Sequence, residues 1–551
     1  MKSTSDFLLD LQKQDIKVWV EGDRLRCNAP KGMLTPELQA ELTARKQDLI
    51  AYLQQQAQGA LEETIPSIRP VSRSQDLPLS WTQQRLWFLD RLEGGSNAAY
   101  NLSTVLQING NLNVKVLEQT LAEIIKRHEI LRTTFKLVNG TPVQAIHPGL
   151  TLRLPVINLQ HYSEVEKAAQ ARRFAIEEIS GTFDLANGPL MRSSLLQLGS
   201  ESHILLITMH HIVFDGWSTA IFVKELSTLY QAFAKNLPSP LAGLPIQYAD
   251  FAVWQRQWLN EDVLKPKLDY WKQKLAGTPP LLELPTDRPR PLVDSMQGDS
   301  ETFQLSAEIT EKLKNLSKRS GATLYMIVLA ALVTLLFRYS SQEDLVIGSP
   351  IANRYPKETE PLIGLFINTL VLRINLGEDP SFLELLTRVR QVTLEAYENQ
   401  NVPFEKLVKE LKIKRDLSRN PLFQVWYTLQ NTAVEGLELT GLQVRSLEFE
   451  NPTAIFDLEF ILEYMSEGIK GRLRYKTDLF EASTIVQMLK SFQTLLQSIV
   501  AEPERRLSNL RLLTDEETGG YSISTFPDAE LSQNEFEKLM MEIAKISVLS
   551  L

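Results

Sequence analysis

Apolar positions change period repeatedly along this chain, and each change predicts an element. Residues 5–13 place Phe7, Leu8 and Leu11 on one helical face. Val18 and Val20 then alternate with polar neighbours, Glu21-Gly22-Asp23 turns the chain, and Leu25 and Cys27 resume the alternation, which predicts a β-hairpin. Thr35 caps a second helix with Pro36 at its first position, and Leu38, Leu42, Leu49, Ile50 and Leu53 form its apolar stripe. A polar linker carrying Pro66, Pro70 and Pro78 follows. From residue 79 to about residue 514, helical and strand periods alternate without a low-complexity break. Residues 117–127 predict a helix with Leu117, Leu121, Ile124 and Ile125 on one side, 151–156 a strand, and 220–234 a helix carrying Phe222, Leu226, Leu229 and Phe233. The second half repeats this grammar: a buried helix at 324–337, then strands at 344–351 and 370–374. The pattern predicts two similar α/β lobes. Beyond residue 515 the chain turns polar and closes on an amphipathic segment with Phe536, Leu539, Met540 and Ile543.

These changes divide the chain into a small unit at 1–56, a linker at 57–77, a first lobe at 78–245, a second lobe at 246–514 and a polar tail at 515–551. A length of 551 residues exceeds what one compact core holds, which agrees with several units. The net charge of −9 argues against nucleic acid as the main partner. With Cys27 as the single cysteine no intramolecular disulfide can form, so a reducing cytoplasm is expected. The longest apolar stretch, 324–337, falls short of the roughly 20 residues needed to span a bilayer, and the first residues do not read as a signal peptide, so no membrane segment is expected.

Candidate chemistry concentrates in Ile204-Leu205-Leu206-Ile207-Thr208-Met209-His210-His211-Ile212-Val213-Phe214-Asp215-Gly216-Trp217-Ser218. Two of only six histidines stand side by side at the end of an apolar strand. Neighbouring strand residues point to opposite faces, so His210 and His211 cannot serve one site; one faces a cleft and the other the core. This disfavours a metal pair, and no Cys or Glu lies at ligand spacing nearby. A neutral imidazole can accept a proton or orient an amine or hydroxyl, while the bland alternative is two core histidines satisfied by backbone groups. Gly216-Trp217-Ser218-Thr219-Ala220 comes close to a hydrolase nucleophile elbow, but Ala220 replaces the final glycine and no histidine follows His211. Neither a P-loop nor a dinucleotide fingerprint is present, so the chain is not expected to activate a substrate with ATP.

The segment His210-His211-Ile212-Val213-Phe214-Asp215-Gly216 matches the HHxxxDG motif of the condensation domains of nonribosomal peptide synthetases, shared with chloramphenicol-acetyltransferase-like acyltransferases. Flanking segments resemble the family's other motifs in order: Leu79-Ser80-Trp81-Thr82-Gln83-Gln84-Arg85-Leu86-Trp87-Phe88-Leu89, Arg127-His128-Glu129-Ile130-Leu131-Arg132-Thr133-Thr134-Phe135, Tyr248-Ala249-Asp250-Phe251-Ala252-Val253-Trp254, Ile363-Gly364-Leu365-Phe366-Ile367-Asn368-Thr369 with Arg373 after it, Pro403-Phe404-Glu405-Lys406-Leu407-Val408, and Arg415-Asp416-Leu417-Ser418-Arg419-Asn420-Pro421-Leu422-Phe423-Gln424-Val425. The first of these most resembles the subtype joining two L-configured residues. Two departures stand out: Asn399-Gln400-Asn401 where a histidine is usual, and Trp81 in place of a small residue. The N-terminal unit, through Trp19-Val20-Glu21-Gly22, Leu25-Arg26 and Ala29-Pro30-Lys31-Gly32, resembles the small TubC-like docking domains that precede some condensation domains.

The resemblance implies an α/β fold of two acetyltransferase-like lobes in a V around a central tunnel, preceded by a helix–hairpin–helix docking domain. It implies an acyltransferase forming an amide between a donor acyl thioester and an acceptor aminoacyl thioester. Both are held on the phosphopantetheine arms of partner carrier proteins, and the chain binds no cofactor or metal of its own. An upstream synthetase protein is the expected partner of the docking domain. His211 orients or deprotonates the acceptor amine and His210 is structural. Asp215 pairs with an arginine of the second motif, Arg132 ahead of Arg127. Gly216 supplies backbone freedom and an N–H for the developing oxyanion. Trp217, Ser218, Asn368 and Thr369 are candidate tunnel residues, whereas Tyr248, Asp250 and Trp254 bridge the lobes. The alternatives are ester formation, a free or CoA-bound partner, and a non-catalytic scaffold that docks carriers; heterocyclisation is disfavoured because that subtype replaces the histidines with aspartates.

Overall fold

Cross-strand pairing begins within the first unit of the chain. The computed structural model describes residues 17–21, 24–28, 38, 41–42, 45–46, 49–50 and 66–513, apart from 93, 96–97, 150–152, 414–415, 417, 431–438, 440, 448–452 and 466–467. Contacts divide the chain into two compact units, Met1–Ile68 and Arg69–Leu551. In the first, β1 (Lys17–Glu21) and β2 (Arg24–Asn28) pair antiparallel with Glu21 opposite Arg24. This is the hairpin expected from the alternation of Val18, Val20, Leu25 and Cys27. Leu49 N–H donates to the Arg45 carbonyl and Arg45 N–H to that of Glu41, the spacing of the expected second helix. The helix expected at 5–13 and the tail from 515 lie outside the described residues.

The second unit runs β3 (Leu77–Pro78), α1 (Trp81–Leu92), β4 (Asn101–Asn109), α2 (Val114–Arg127), β5 (Thr133–Val138), β6 (Thr141–Ile146), β7 (Val156–Asn158), α3 (Glu164–Ser180), β8 (Met191–Gln197), β9 (Ser202–His210), α4 (Gly216–Ala234), α5 (Tyr248–Trp258) and α6 (Glu261–Lys274). It continues with β10 (Gly298–Leu305), α7 (Ala307–Ser320), α8 (Leu324–Ser340), β11 (Asp344–Ile351), β12 (Asn368–Asn375), α9 (Phe382–Glu398), α10 (Phe404–Glu410), β13 (Val425–Gln430), β14 (Gln443–Ser446), β15 (Leu458–Met465), β16 (Gly468–Lys476) and α11 (Ala482–Ala501). Among the described residues these build a five-stranded sheet, β14-β4-β9-β8-β7, a six-stranded sheet, β10-β16-β15-β13-β11-β12, and a small sheet, β3-β6-β5.

Of the strand expected at 151–156, residues 151–152 lie outside the described residues, and among 153–156 only Val156 enters a strand. The Leu195 N–H donates to the Pro155 carbonyl, and parallel pairing with β8 starts one residue on, because proline has no N–H to enter a ladder. Helix α8 is apolar around its whole circumference, and Ile327 through Val333 have no exposed surface. Such a helix must be buried on every side, and it lies in the core between the six-stranded sheet and helices α9 and α11. No single helix among the described residues is long and apolar enough to cross a membrane.

The sheets are not split by sequence order. Strand β14, far along the second half, joins the edge of β4 with Gln443 opposite Asn109 and Ser446 opposite Leu106. Gly110 makes that approach possible: a Cβ there would lie 2.9 Å from Leu442 Cδ2 and 3.0 Å from the Gly441 carbonyl, and its φ of +120° suits glycine. The lobe boundary placed after residue 245 therefore does not separate the sheets cleanly.

Candidate active site

Strand β9 is the centre of the five-stranded sheet, flanked by β4 and β8. A central strand covered on both faces calls for a mostly apolar run, and Ile204–Met209 supplies it, all buried, with Thr208 as its one polar residue, hydrogen-bonded to Ser103 (3.0 Å). Pairing ends with Asn101 opposite His210. The chain then leaves the sheet as a single 3₁₀ turn, His211–Val213, and enters α4 at Gly216.

The two histidines separate as strand geometry demands. His210 is 2% exposed, packs between Tyr100 and Phe183, and accepts the Ile212 N–H at Nδ1 (3.1 Å). Burial, with a smaller contribution from His211, holds its pKa down to about 3, so this ring is neutral and structural. His211 is partly exposed. Its Nδ1 lies 2.7 Å from the Phe214 carbonyl, an acceptor only, so Nδ1 carries the proton and Nε2 presents its lone pair. No partner for Nε2 occurs among the described residues. The geometry thus fixes one tautomer and leaves the Nε2 lone pair unengaged among the described residues.

Asp215 caps α4 and is 2% exposed. Its Oδ1 accepts the N–H of Ser218 (2.8 Å), the Ser218 hydroxyl (2.7 Å) and Arg354 Nη2 (2.9 Å), and its Oδ2 accepts the N–H of Phe366 (3.0 Å). Arg354 also donates to the carbonyls of Thr359 (2.8 Å) and Leu362 (2.6 Å), and its guanidinium lies over the Phe366 ring. The partner of Asp215 is therefore Arg354, not Arg132 or Arg127. Arg127 is held by Glu225 (2.8 Å), which also pairs with His128 (2.9 Å). Glu225 lies ten residues beyond Asp215, about 15 Å along the helix, so an arginine it anchors cannot reach the carboxylate at the cap. Arg132 donates to the His147 carbonyl and faces Glu129 at 3.8 Å.

Several other expectations change. Gly216 does not take a left-handed backbone conformation, and a Cβ built on it meets nothing within 4 Å. What distinguishes it is open space above the first turn of α4, together with an N–H that a first-turn residue has no intrahelical acceptor for. Ser218 has no exposed surface and is fully engaged with Asp215 and Gly364, which removes it as a tunnel wall and as a nucleophile. Asn368 is also internal: it donates to the carbonyls of Gln400 and Val402 (2.7 Å each) and accepts the Phe404 N–H (3.2 Å), holding the turn before α10. Trp217 is 42% exposed with its indole N–H on the Glu360 carbonyl (3.3 Å), and Thr369 is partly exposed opposite Pro350. Among the described residues no cluster of three or more His, Cys, Asp or Glu forms a metal site.

The residues that sequence reasoning missed are Arg354 and Gln83. Arg354 follows strand β11 in Ala352-Asn353-Arg354-Tyr355, 139 positions from Asp215, and no periodicity or spacing links them. Gln83 was visible only as one letter of the first motif. It is fully buried, and its Nε2 donates to the Ile212 carbonyl (3.1 Å), inside the turn that begins at His211.

Comparison with known proteins shows the family and the fold. The model of the condensation domain matches residues 73–519, and that of the TubC N-terminal docking domain matches residues 5–55. One of the linear gramicidin synthase proteins of Brevibacillus parabrevis is 46% identical over 475 residues, 85% of this chain but 6% of that protein. Malpinin synthetase of Mortierella alpina is 43% identical over 83% of this chain and 9% of its own length. The chain thus spans less than a tenth of these relatives. Among solved structures, the X-domain in complex with OxyB from teicoplanin biosynthesis superposes with a TM-score of 0.74 at 31% identity, covering 82% of this chain and 99% of that one. The first condensation domain of the calcium-dependent antibiotic synthetase, bound to a substrate analogue, shares the fold with a TM-score of 0.68 at 20% identity. The chain belongs to the condensation-domain family of nonribosomal peptide synthetases and carries a TubC-type docking domain ahead of its condensation domain.

Proposed function

We propose that this chain joins a donor acyl or peptidyl thioester to the amine of an acceptor aminoacyl thioester, both delivered on the phosphopantetheine arms of carrier proteins. The observation that carries this reading is the His211 ring, with Nδ1 bound to the Phe214 carbonyl at 2.7 Å and Nε2 open, beside the uncrowded first turn of α4. The acceptor nitrogen attacks the thioester carbon, the nitrogen–carbon bond forms, the carbon–sulfur bond breaks, and the thiolate leaves. His211 Nε2 takes the proton that the amine sheds and passes it to the leaving sulfur. A positioned base of this kind contributes roughly 10²–10⁴-fold, and alignment of two tethered reactants as much as about 7–11 kcal/mol. The Gly216 N–H, at the positive end of α4, is the donor we assign to the tetrahedral oxyanion. Trp217 and Thr369 remain the wall candidates. The N-terminal unit, by its family, supports docking to an upstream synthetase protein.

A second reading has its own support: the X-domain is known in complex with OxyB, so the fold also occurs in a docking assembly. Incubating the protein with two loaded carrier proteins separates the two. Transfer of mass from donor to acceptor carrier, lost in a folded His211→Ala variant, supports condensation. Carrier binding without transfer, or undiminished transfer by His211→Ala, removes the imidazole from the reaction.

A further inference from the structure

The turn that begins at His211 is tied down at both ends, and the two ties meet through a chain of buried hydrogen bonds. At the far end, Asp215 Oδ2 accepts the Phe366 N–H, and the Ser218 hydroxyl oxygen accepts the Gly364 N–H (3.1 Å). Between those two positions, the Leu365 carbonyl lies 2.6 Å from the Tyr248 hydroxyl. That hydroxyl also lies 2.8 Å from Ser80 Oγ. A phenol has one proton, so Tyr248 gives it to the carbonyl and receives the Ser80 proton. Ser80 Oγ in turn accepts the Gln83 N–H (3.1 Å), while Gln83 Oε1 accepts the Ser80 N–H (3.1 Å). This reciprocal pair is a capping box at the start of α1. The free half of the Gln83 amide, Nε2, reaches the Ile212 carbonyl, one residue after His211.

Ser80, Gln83 and Tyr248 each have 1% exposure or less, so water does not compete for these bonds. The Tyr248 ring leaves no room above residue 364: a Cβ there would sit 2.1 Å from Tyr248 Cδ2. The path therefore has little slack along its length. An amide is the side-chain type the position needs, since it must accept from a backbone N–H and donate to a carbonyl at once.

We infer that Gln83 is a positioning residue for His211, fixing the plane of the His211–Ile212 turn by donating to the Ile212 carbonyl from a cap held by Ser80 and Tyr248. This rests on the reading of His211 as the group that handles the amine proton. Gln83 touches no reactant in this scheme. It sets the direction in which Nε2 points, which affects the rate with bound carriers and leaves carrier affinity alone.

The test compares Gln83→Met, close in volume but without donor or acceptor, with Tyr248→Phe, which breaks the same path by one hydroxyl. Glu166→Ala serves as the control, because it breaks a capping box remote from the site, at Ser163. Single-turnover transfer between two loaded carriers is measured as a function of carrier concentration. In parallel, carbethoxylation of His211 by diethyl pyrocarbonate is followed by peptide mass, with exposed His161 as internal reference. Gln83→Met is expected to lose at least tenfold in maximal rate with the half-saturating carrier concentration unchanged within twofold, and to shift the His211 modification rate at least threefold relative to His161. Tyr248→Phe is expected to move both in the same direction by less, and Glu166→Ala to move neither. A folded Gln83→Met protein with wild-type rate and wild-type His211 reactivity overturns the inference. If Gln83→Met does not fold, the same wild-type result for Tyr248→Phe overturns it. Altered His211 reactivity in a protein whose His211→Ala variant still turns over normally keeps the positioning role and removes the catalytic reading instead.

Discussion

Replacing Asp215 by alanine should destabilise the second unit through a mechanism that can be itemised. Arg354, 2% exposed in its side chain, loses the carboxylate it is paired with. Breaking one side of a buried pair costs about 3–5 kcal/mol because the remaining charge is left without compensation. The same substitution removes the α4 cap, worth about 1 kcal/mol, and orphans the buried N–H of Phe366, worth about 1–3 kcal/mol. These effects share one site and do not add in full, and Arg354 keeps its carbonyl acceptors at Thr359 and Leu362. A net loss of about 4–6 kcal/mol is expected. At about 2.1 cal/mol/K per residue, the described span of the unit, 69–513, has an unfolding entropy of about 0.9 kcal/mol/K, so its melting temperature should fall by about 4–7 °C. Arg354→Met should cost less, because Asp215 retains the Ser218 and Phe366 donors. Urea unfolding of the two single variants and the double variant gives the coupling, expected at about 2–3 kcal/mol. Additivity within about 0.5 kcal/mol would refute the pairing, as would a coupling of Asp215 to Arg132 larger than that to Arg354.

Two further outcomes follow from the site. His210 is held neutral in the folded protein down to about pH 3, whereas the unfolded chain takes up that proton near pH 6.5. Its contribution is therefore fully present above pH 6.5 and is lost as pH falls from 6.5 towards 3, at about 1.4 kcal/mol per pH unit, or about 2 kcal/mol by pH 5. His210→Asn keeps an acceptor for the Ile212 N–H and should flatten the urea-midpoint profile between pH 7 and 5; an unchanged profile contradicts the assignment. Gly216→Ala should leave the melting temperature unchanged or slightly raised, since its methyl meets nothing and alanine favours a helix by about 0.5–1 kcal/mol, yet should slow carrier-to-carrier transfer more than tenfold. Normal transfer by this variant shows that no reacting group passes over that turn.

Much of the framework was legible because it rests on local period. The hairpin at Val18 to Cys27, the core helix of α8 and strand β11 at 344–351 all announce themselves in the spacing of apolar residues. The separation of His210 from His211 follows from strand alternation and the end of the β9 run. The partner of Asp215 was not legible. It depends on where a loop 139 residues away returns, and an arginine looks the same in sequence whether its carboxylate is Glu225, Glu129 or Asp215. Asn368 and Ser218 looked like wall residues because polar side chains in a motif suggest contact with a ligand. Their hydrogen-bonding capacity is spent internally, which only the folded arrangement reveals.

Strand β14 has a consequence for how the protein can be cut. Its four residues complete the sheet that carries His210 at the end of β9, although they come from the other end of the chain. A truncated product lacking residues 443–446 would leave β4 as a bare border, a ready template for foreign strands and aggregation. Supplying the missing ribbon on a separate polypeptide should restore that border by strand addition, so the fold lends itself to reassembly from two fragments but not to use of its front half alone.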